Sequence, residues 1–232
     1  MAKPVKISDQ NKEWYRRSKT SETRRIEALV ERKRILIVCE GEKTEPNYFR
    51  SIQKDLPQHV VELEICGEGL ETLRLVEKAQ ELRDNRASSS YPFDQIWVVF
   101  DRDSFPPSDF DNAINKAESD DISCAWSNEA FELWYVLHFE YRTTAMPRNE
   151  YQKKLSTLIG RAYAKNAPDM YQVLAEMGNQ DHAINWAKRL HEKVKTARTT
   201  HSRANPCTTV YSLIETLNGF RPQKEETEAP AS

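Results

Sequence analysis

Acidic side chains follow two apolar segments of this 232-residue chain, at the point where each segment ends. Residues 34–39 (RILIVC) lead into Glu40, and residues 95–100 (QIWVVF) lead into Asp101, with Asp103 two positions later. Both segments have the length and composition of buried strands. Open α/β sheets place their functional sites at the carboxyl ends of their strands, and Mg²⁺ prefers oxygen ligands such as carboxylates. The pattern predicts a site for Mg²⁺ (or Mn²⁺) held by Glu40, Asp101 and Asp103.

Three further side chains are candidates for catalysis beside these acids. Glu45 lies in the first turn of the helix predicted after Glu40. Glu132 interrupts an apolar stretch, where an unpaired carboxylate is costly, so it is either a metal ligand or the partner of a basic group. His138 has a pKa range suited to a general base, and a hydrogen-bonded core histidine is its alternative interpretation. Divalent metal at such a site would polarise a phosphodiester and activate an attacking water.

The order of apolar patterns predicts which elements position these residues. Strands are expected at about 34–39, 60–66, 95–100 and 122–126, with a helix between each pair, which favours a parallel sheet with right-handed crossovers. Helices alone are expected afterwards, at 128–139, 150–165, 169–177, 180–198 and 206–217. We therefore predict a flexible basic segment over 1–33, an α/β core over 34–127, a helical extension packed on that core over 128–219, and a frayed tail over 220–232.

Charge is distributed unevenly along the chain, although the net charge is only −2. Residues 40–132 carry nine Lys and Arg and 21 Asp and Glu, so this part is acidic. Residues 142–203 carry twelve Lys and Arg and five Asp and Glu, so that part is basic. An acidic centre beside a basic region suits a metal site that is served by a polyanion-binding surface, and solvated helix faces are the alternative. The candidate phosphate contacts are Lys153, Arg161, Lys165, Lys188, Arg189, Lys193 and Lys195.

Two functional classes are disfavoured by the sequence. No apolar stretch approaches the roughly 20 residues that span a bilayer, and residues 1–6 (MAKPVK) lack the apolar part of a signal peptide, so we expect a cytoplasmic protein. Residues 41–44 (GEKT) do not form a nucleotide-binding P-loop, because that loop needs glycine immediately before its lysine.

Four segments resemble a known protein family: residues 36–49 (LIVCEGEKTEPNYF), 97–103 (WVVFDRD), 127–139 (SNEAFELWYVLHF) and 205–215 (NPCTTVYSLIE). Together they are similar to the motifs of the RloB-like family, also called AbiLii-like, and the resemblance spans about residues 34–217. Glutamate after the first strand and Asp-x-Asp after the third also resemble the Toprim fold of topoisomerases, primases and OLD-type nucleases. One departure is Glu129, which stands where the family pattern has proline.

The resemblance implies a Toprim-like, Rossmann-like core and a Mg²⁺-dependent nuclease acting on DNA, RNA or tRNA in defence against phage. It also implies a partner, an ABC/AAA-type ATPase of the RloA kind. Two other functions use the same acids. One is a sensor or regulatory module that controls the ATPase without cutting nucleic acid, and the other is a different Mg²⁺-dependent phosphoryl-transfer enzyme.

Overall fold

The computed structural model describes residues 32–102 and 106–222. Within these residues the strands are β1 (Lys33–Cys39), β2 (Val61–Gly67), β3 (Gln95–Asp101), β4 (Ser123–Asn128) and β5 (Cys207–Thr208). The α-helices are α1 (Thr44–Asp55), α2 (Thr72–Ala87), α3 (Pro107–Ser119), α4 (Glu132–Val136), α5 (Arg148–Leu158), α6 (Met170–Met177), α7 (Gln180–Ala197) and α8 (Val210–Asn218). The predicted N-terminal segment and C-terminal tail fall almost wholly outside the described residues, as does Asp103.

The described strands form one sheet in the order β2-β1-β3-β4-β5. The first four run parallel, and β5 pairs antiparallel with β4. This architecture confirms the predicted α/β class and is consistent with a Rossmann-like core. The register aligns Cys39 with Val99 and Asp101 with Ser127, so the carboxyl ends of β1, β3 and β4 lie at one edge of the sheet.

Both faces of the sheet are covered, which explains why the central residues of β1 and β3, 35–39 and 96–100, are continuously apolar. On one face, Ile35, Ile37 and Val99 pack with α1 and with helices from the C-terminal half of the chain. On the other face, Leu36, Val38 and Val98 pack against α2 and α3. Tyr48, Phe49 and Ile52 of α1 are buried, as is Leu56 directly after it.

The structure differs from the predicted helices in three places. The helix expected over 150–165 is α5, which ends at Leu158, so Arg161 and Lys165 lie in the loop that follows it. Strand β4 continues to Asn128, so α4 begins at Glu132 rather than at 128. The helix expected from 206 begins at Val210, because Cys207 and Thr208 are extended and pair with β4. Buried contacts between distant residues hold this backbone: the Ser127 and Thr208 hydroxyls are hydrogen-bonded at 2.9 Å.

No helix in the described part of the chain is long and apolar enough to cross a membrane.

Candidate functional site

A cavity of about 280 Å³ lies at the edge of the sheet where β1 and β3 end. Its lining contains three of the predicted catalytic acids, Glu45, Asp101 and Glu132, together with Lys165 and Asn166. We call it the acidic cavity. The remaining lining residues are Gly41, Glu42, Lys43, Thr44 and Phe131.

Asp101 is the last residue of β3 and is buried at the floor of the acidic cavity. Its Oδ2 atom accepts a hydrogen bond from Nη2 of Arg148, the first residue of α5, at 3.1 Å. Its Oδ1 atom is buried and has no hydrogen-bond partner among the described residues. One oxygen of this carboxylate is therefore paired with a cation of the chain, and the other has a position open for an added ligand.

Glu40 joins the ends of two neighbouring strands. Its Oε2 atom accepts a hydrogen bond from the backbone N–H of Asp101 at 3.0 Å. Its own backbone N–H donates to the carbonyl oxygen of Val99 at 2.8 Å. Glu40 thus fixes the main chain that carries Asp101, and its carboxylate lies beside the predicted metal site.

Glu45 reaches the acidic cavity because the chain has no side chain at Gly41. A Cβ atom at position 41 would overlap the Glu45 carboxylate, with Oε2 as its nearest neighbour. The Oε2 atom is buried and, like Asp101 Oδ1, has no hydrogen-bond partner among the described residues. Two orphaned carboxylate oxygens therefore belong to one cavity.

The electrostatics of these two acids favour a cation. Burial raises the pKa of Asp101 well above its usual range, the Glu45 charge raises it further, and the Arg148 guanidinium opposes this rise. Burial also raises the pKa of Glu45, with a smaller rise from Glu132 and a lowering by Lys165. Desolvation and mutual repulsion both penalise the charged forms, and a bound divalent cation would relieve both effects.

Glu132 and the loop that connects α5 to α6 close one side of the acidic cavity. The Glu132 carboxylate is buried and accepts a hydrogen bond from the Tyr163 hydroxyl at 3.2 Å. The loop turns at Asn166, whose φ of 77° lies in the left-handed region that asparagine tolerates. Asn166 accepts a hydrogen bond from the Thr44 hydroxyl at 3.0 Å, which holds the neighbouring Lys165 at the cavity.

The structure places His138 away from these acids. Its ring packs edge-on against Trp134, with centroids 4.9 Å apart, and its Nδ1 atom donates a hydrogen bond to the Trp134 carbonyl oxygen at 2.9 Å. It lines a different cavity of about 440 Å³, together with Tyr48 and Gly178. Burial lowers the pKa of His138 to about 4. His138 is therefore a hydrogen-bonded core histidine, the alternative left open by the sequence.

A complete metal-binding set is not assembled in the described residues, where no group of three His, Cys, Asp or Glu side chains is arranged to hold an ion. Asp103, which the sequence predicts as a ligand, lies outside those residues. The fit to a cation accordingly rests on the two orphaned oxygens, and the ligand set Glu40, Asp101 and Asp103 stays a prediction.

The predicted phosphate-binding residues are spread over several surfaces. Lys165 lines the acidic cavity, while the exposed Lys153 lies in a groove beside α5. Arg161 forms an ion pair with Asp169 at 2.5 Å. The four basic candidates of α7 lie on two faces: Arg189 and Lys193 lie over the ring of Tyr141, whereas Lys188 pairs with Glu215 and Lys195 is exposed.

Sequence reasoning missed Arg148 and Tyr163 as residues of the candidate site. Each contacts an acid that is 31 or more positions away in the sequence. No local pattern marks either residue, since both stand in polar segments where Arg and Tyr are ordinary.

Comparison with known proteins places the chain in a family. A family model described as RloB-like protein matches residues 35–217, which include the acidic cavity and the whole described sheet apart from its first two residues. A search of the curated proteins and a search of the solved structures each gave no match. The match covers most of the 232 residues and agrees with the four motifs, and the chain therefore belongs to the RloB-like protein family.

Proposed function

We propose that this protein is a nuclease that requires Mg²⁺ or Mn²⁺ and hydrolyses phosphodiester bonds at the acidic cavity. The observation that carries the proposal is the pair of buried carboxylate oxygens, Asp101 Oδ1 and Glu45 Oε2, without hydrogen-bond partners among the described residues. Buried polar atoms are nearly always satisfied, and each exception needs an explanation such as an ion. A divalent cation would satisfy both oxygens and offset the repulsion that raises their pKa values.

Asp101 and Glu45 would hold the cation, with Glu40 from the neighbouring strand and Asp103, two residues after Asp101, completing the set. When bound, the ion would polarise the phosphodiester and lower the pKa of an attacking water. Glu40 orients Asp101 through the bond from the Asp101 backbone N–H. The ligands therefore come from two adjacent strand ends and one helix.

Two cations of the chain itself act on the phosphate. Arg148 lies at Asp101, and its guanidinium can hold phosphate oxygens in a bidentate manner. Lys165 lines the same cavity and attracts the polyanion to a site that would otherwise repel it. Glu132, held by the Tyr163 hydroxyl, lines the same cavity, where it would accept the proton of the attacking water.

We extend the proposal to the biological setting that family membership supports. The nuclease acts on DNA, RNA or tRNA in defence against phage, and an ABC/AAA-type ATPase of the RloA kind controls it. A non-cutting regulatory module is the second candidate. It is favoured by the absence of a ready three-ligand set in the described residues and by the ion pair that occupies Asp101 Oδ2.

The decisive experiment incubates the purified protein, alone and with its ATPase, with duplex DNA, single-stranded RNA and tRNA in Mg²⁺, Mn²⁺ or EDTA. Cleavage that needs the metal and disappears in Asp101→Asn and Glu45→Gln supports the nuclease. Asp84→Asn, an exposed acid on α2, is the matched control and should cleave like the parent. Calorimetric titration of Mn²⁺ reports metal binding separately. Metal binding without cleavage of any substrate would favour the regulatory module, and equal Mn²⁺ affinity in parent and both variants would refute the metal site.

A further inference from the structure

One face of α7 carries four side chains at helical spacing: His182, Trp186, Arg189 and Lys193. Positions separated by four, three and four residues lie one above another on a helix. Trp186 is half-buried, whereas the other three are exposed. We call these four residues the α7 stripe.

The aromatic rings of the stripe form a contiguous surface. The His182 and Trp186 rings are nearly stacked, with centroids 4.9 Å apart and planes inclined by 31°. Tyr141, from the segment between α4 and α5, extends this surface, with its ring centroid 5.9 Å from that of Trp186. The Arg189 guanidinium and the Lys193 ammonium lie 5.2 and 5.6 Å from the Tyr141 centroid. The two cations thus cover the Tyr141 ring, beside the neighbouring His182 and Trp186 rings.

A groove beside α5 is joined to this surface through the chain at residues 140–142. Glu140, next to Tyr141 in the chain, bridges Arg142 at 3.8 Å and Lys154 at 2.8 Å. Arg142, Lys153 and Lys154 line this groove of about 350 Å³ together with Glu150, and we call it the basic groove. The same helix begins at Arg148, which contacts Asp101. Lys154 is six residues further along α5, a distance of roughly 9 Å along the helix axis.

We propose that the α7 stripe, whose cations are held over Tyr141, binds unpaired bases of a single-stranded nucleic acid, which the basic groove leads to the acidic cavity. This inference rests on the proposed nuclease function and names its substrate as single-stranded. Aromatic faces stack on any base, and neighbouring cations hold the phosphates, so binding of this kind depends little on the base sequence of the nucleic acid. A duplex keeps its bases stacked within itself, and it therefore gains nothing from the rings. An acidic protein would use the cations but not the stacked surface.

The opposite flank of α7 provides a matched control. Lys188 and Lys195 have the same charges as the cations of the stripe, but Lys188 pairs with Glu215 and lies over Tyr211 rather than Tyr141. The double variants Arg189→Gln/Lys193→Gln and Lys188→Gln/Lys195→Gln therefore remove the same charge from the same helix on different faces.

The test measures the affinity of the full chain for fluorescently labelled single-stranded RNA and DNA oligonucleotides, and for a hairpin duplex, in EDTA. Trp186→Ala should weaken single-strand binding by roughly ten- to hundredfold and leave duplex binding unchanged. Trp186→Phe, which keeps an aromatic face, should retain most of the affinity. Arg189→Gln/Lys193→Gln should reduce the salt dependence by about 0.7 per lost phosphate contact. The Lys188→Gln/Lys195→Gln variant should lower single-strand affinity less than Arg189→Gln/Lys193→Gln does, because its two cations are not held over Tyr141.

Three results would overturn the inference: equal single-strand affinity in Trp186→Ala and the parent, equal weakening of duplex binding, or displacement of the oligonucleotide by polyglutamate as effectively as by unlabelled RNA. If Trp186→Ala does not fold, His182→Ala tests the same stack from an exposed position. Because EDTA prevents metal-dependent cleavage, the binding test of the α7 stripe is separate from the test of nuclease activity. A protein that does not cleave can still show the predicted binding, and variants of the α7 stripe should keep the metal affinity of the acidic cavity.

Discussion

Arg148 donates a hydrogen bond to Asp101 at 3.1 Å, and this contact joins the start of α5 to the carboxyl end of β3. Both side chains are largely shielded, with 27% and 10% of their surfaces exposed, so solvent screens the pair only partly. In the metal-free protein the guanidinium offsets part of the repulsion among Asp101, Glu45 and Glu132. Arg148 therefore supplies some of the positive charge that a divalent cation would supply.

We expect Arg148→Gln to bind Mn²⁺ more tightly than the parent while cleaving nucleic acid more slowly. Removing a positive charge beside the ligands should raise metal affinity by roughly tenfold, on the order of 1 kcal/mol. Loss of the phosphate contact should lower the cleavage rate. Calorimetry and single-turnover cleavage measure the two effects. Arg161→Gln, which removes an exposed ion pair with Asp169, is the control for a general loss of positive charge. Weaker Mn²⁺ binding in Arg148→Gln would contradict this role.

Gly41→Ala should fold but lose metal affinity. The added methyl group would collide with the Glu45 carboxylate, which is the end of a flexible side chain and can move away at little cost to the fold. A double-mutant cycle isolates this effect, because Gly41→Ala should change nothing further in a Glu45→Ala background. Thermal melting and Mn²⁺ titration of the four proteins provide the data. Additive losses in the double variant would show that Gly41 acts independently of Glu45.

Glu45→Gln should stabilise the metal-free protein at alkaline pH. Burial raises the pKa of Glu45, so the folded state keeps this proton to a higher pH than the unfolded chain does. The free energy of unfolding therefore falls as the pH rises through the folded-state pKa, and the non-titrating variant escapes that loss. In EDTA, Glu45→Gln should melt above the parent at pH 8, with the advantage shrinking toward pH 4. Saturating Mn²⁺ should reverse the order, since only the parent gains from binding.

His138 should contribute to stability in the opposite pH direction. Burial lowers its pKa to about 4, so its contribution is complete above the unfolded-state value near 6.5 and is lost as the pH falls through 4. The difference in unfolding free energy between the parent and His138→Asn should therefore shrink by on the order of 3 kcal/mol from pH 7.5 to pH 4. Urea unfolding at several pH values measures this difference. His59→Asn, at an exposed position, is the control. If the difference in unfolding free energy between the parent and His138→Asn does not change with pH, this expectation is wrong.

Much of the fold follows from the sequence because its signals are local. Residues 35–39 and 96–100 are continuous apolar segments. Such segments are typical of strands that are covered on both faces of the sheet. Their carboxyl ends deliver Glu40 and Asp101 to one edge, because neighbouring parallel strands end on the same side of a sheet. The strand that Cys207 and Thr208 add was not predictable, since its pairing with β4 depends on buried contacts across about 80 residues.

The candidate site was decided partly by the sequence and partly by packing. The sequence indicated that Glu40, Glu45 and Asp101 would lie at one edge of the sheet, because Glu40 and Asp101 end parallel strands and Glu45 begins the helix after one of them. That the two strands are neighbours is seen only in the structure. Only the tertiary structure shows that Arg148 contacts Asp101 and that Glu132 lines the acidic cavity. It also shows that His138 lines a different cavity. It also divided the basic residues of α7 between two faces with different neighbours. The physical reason is that sequence periodicity fixes which face of a helix is buried, but not which other element that face meets.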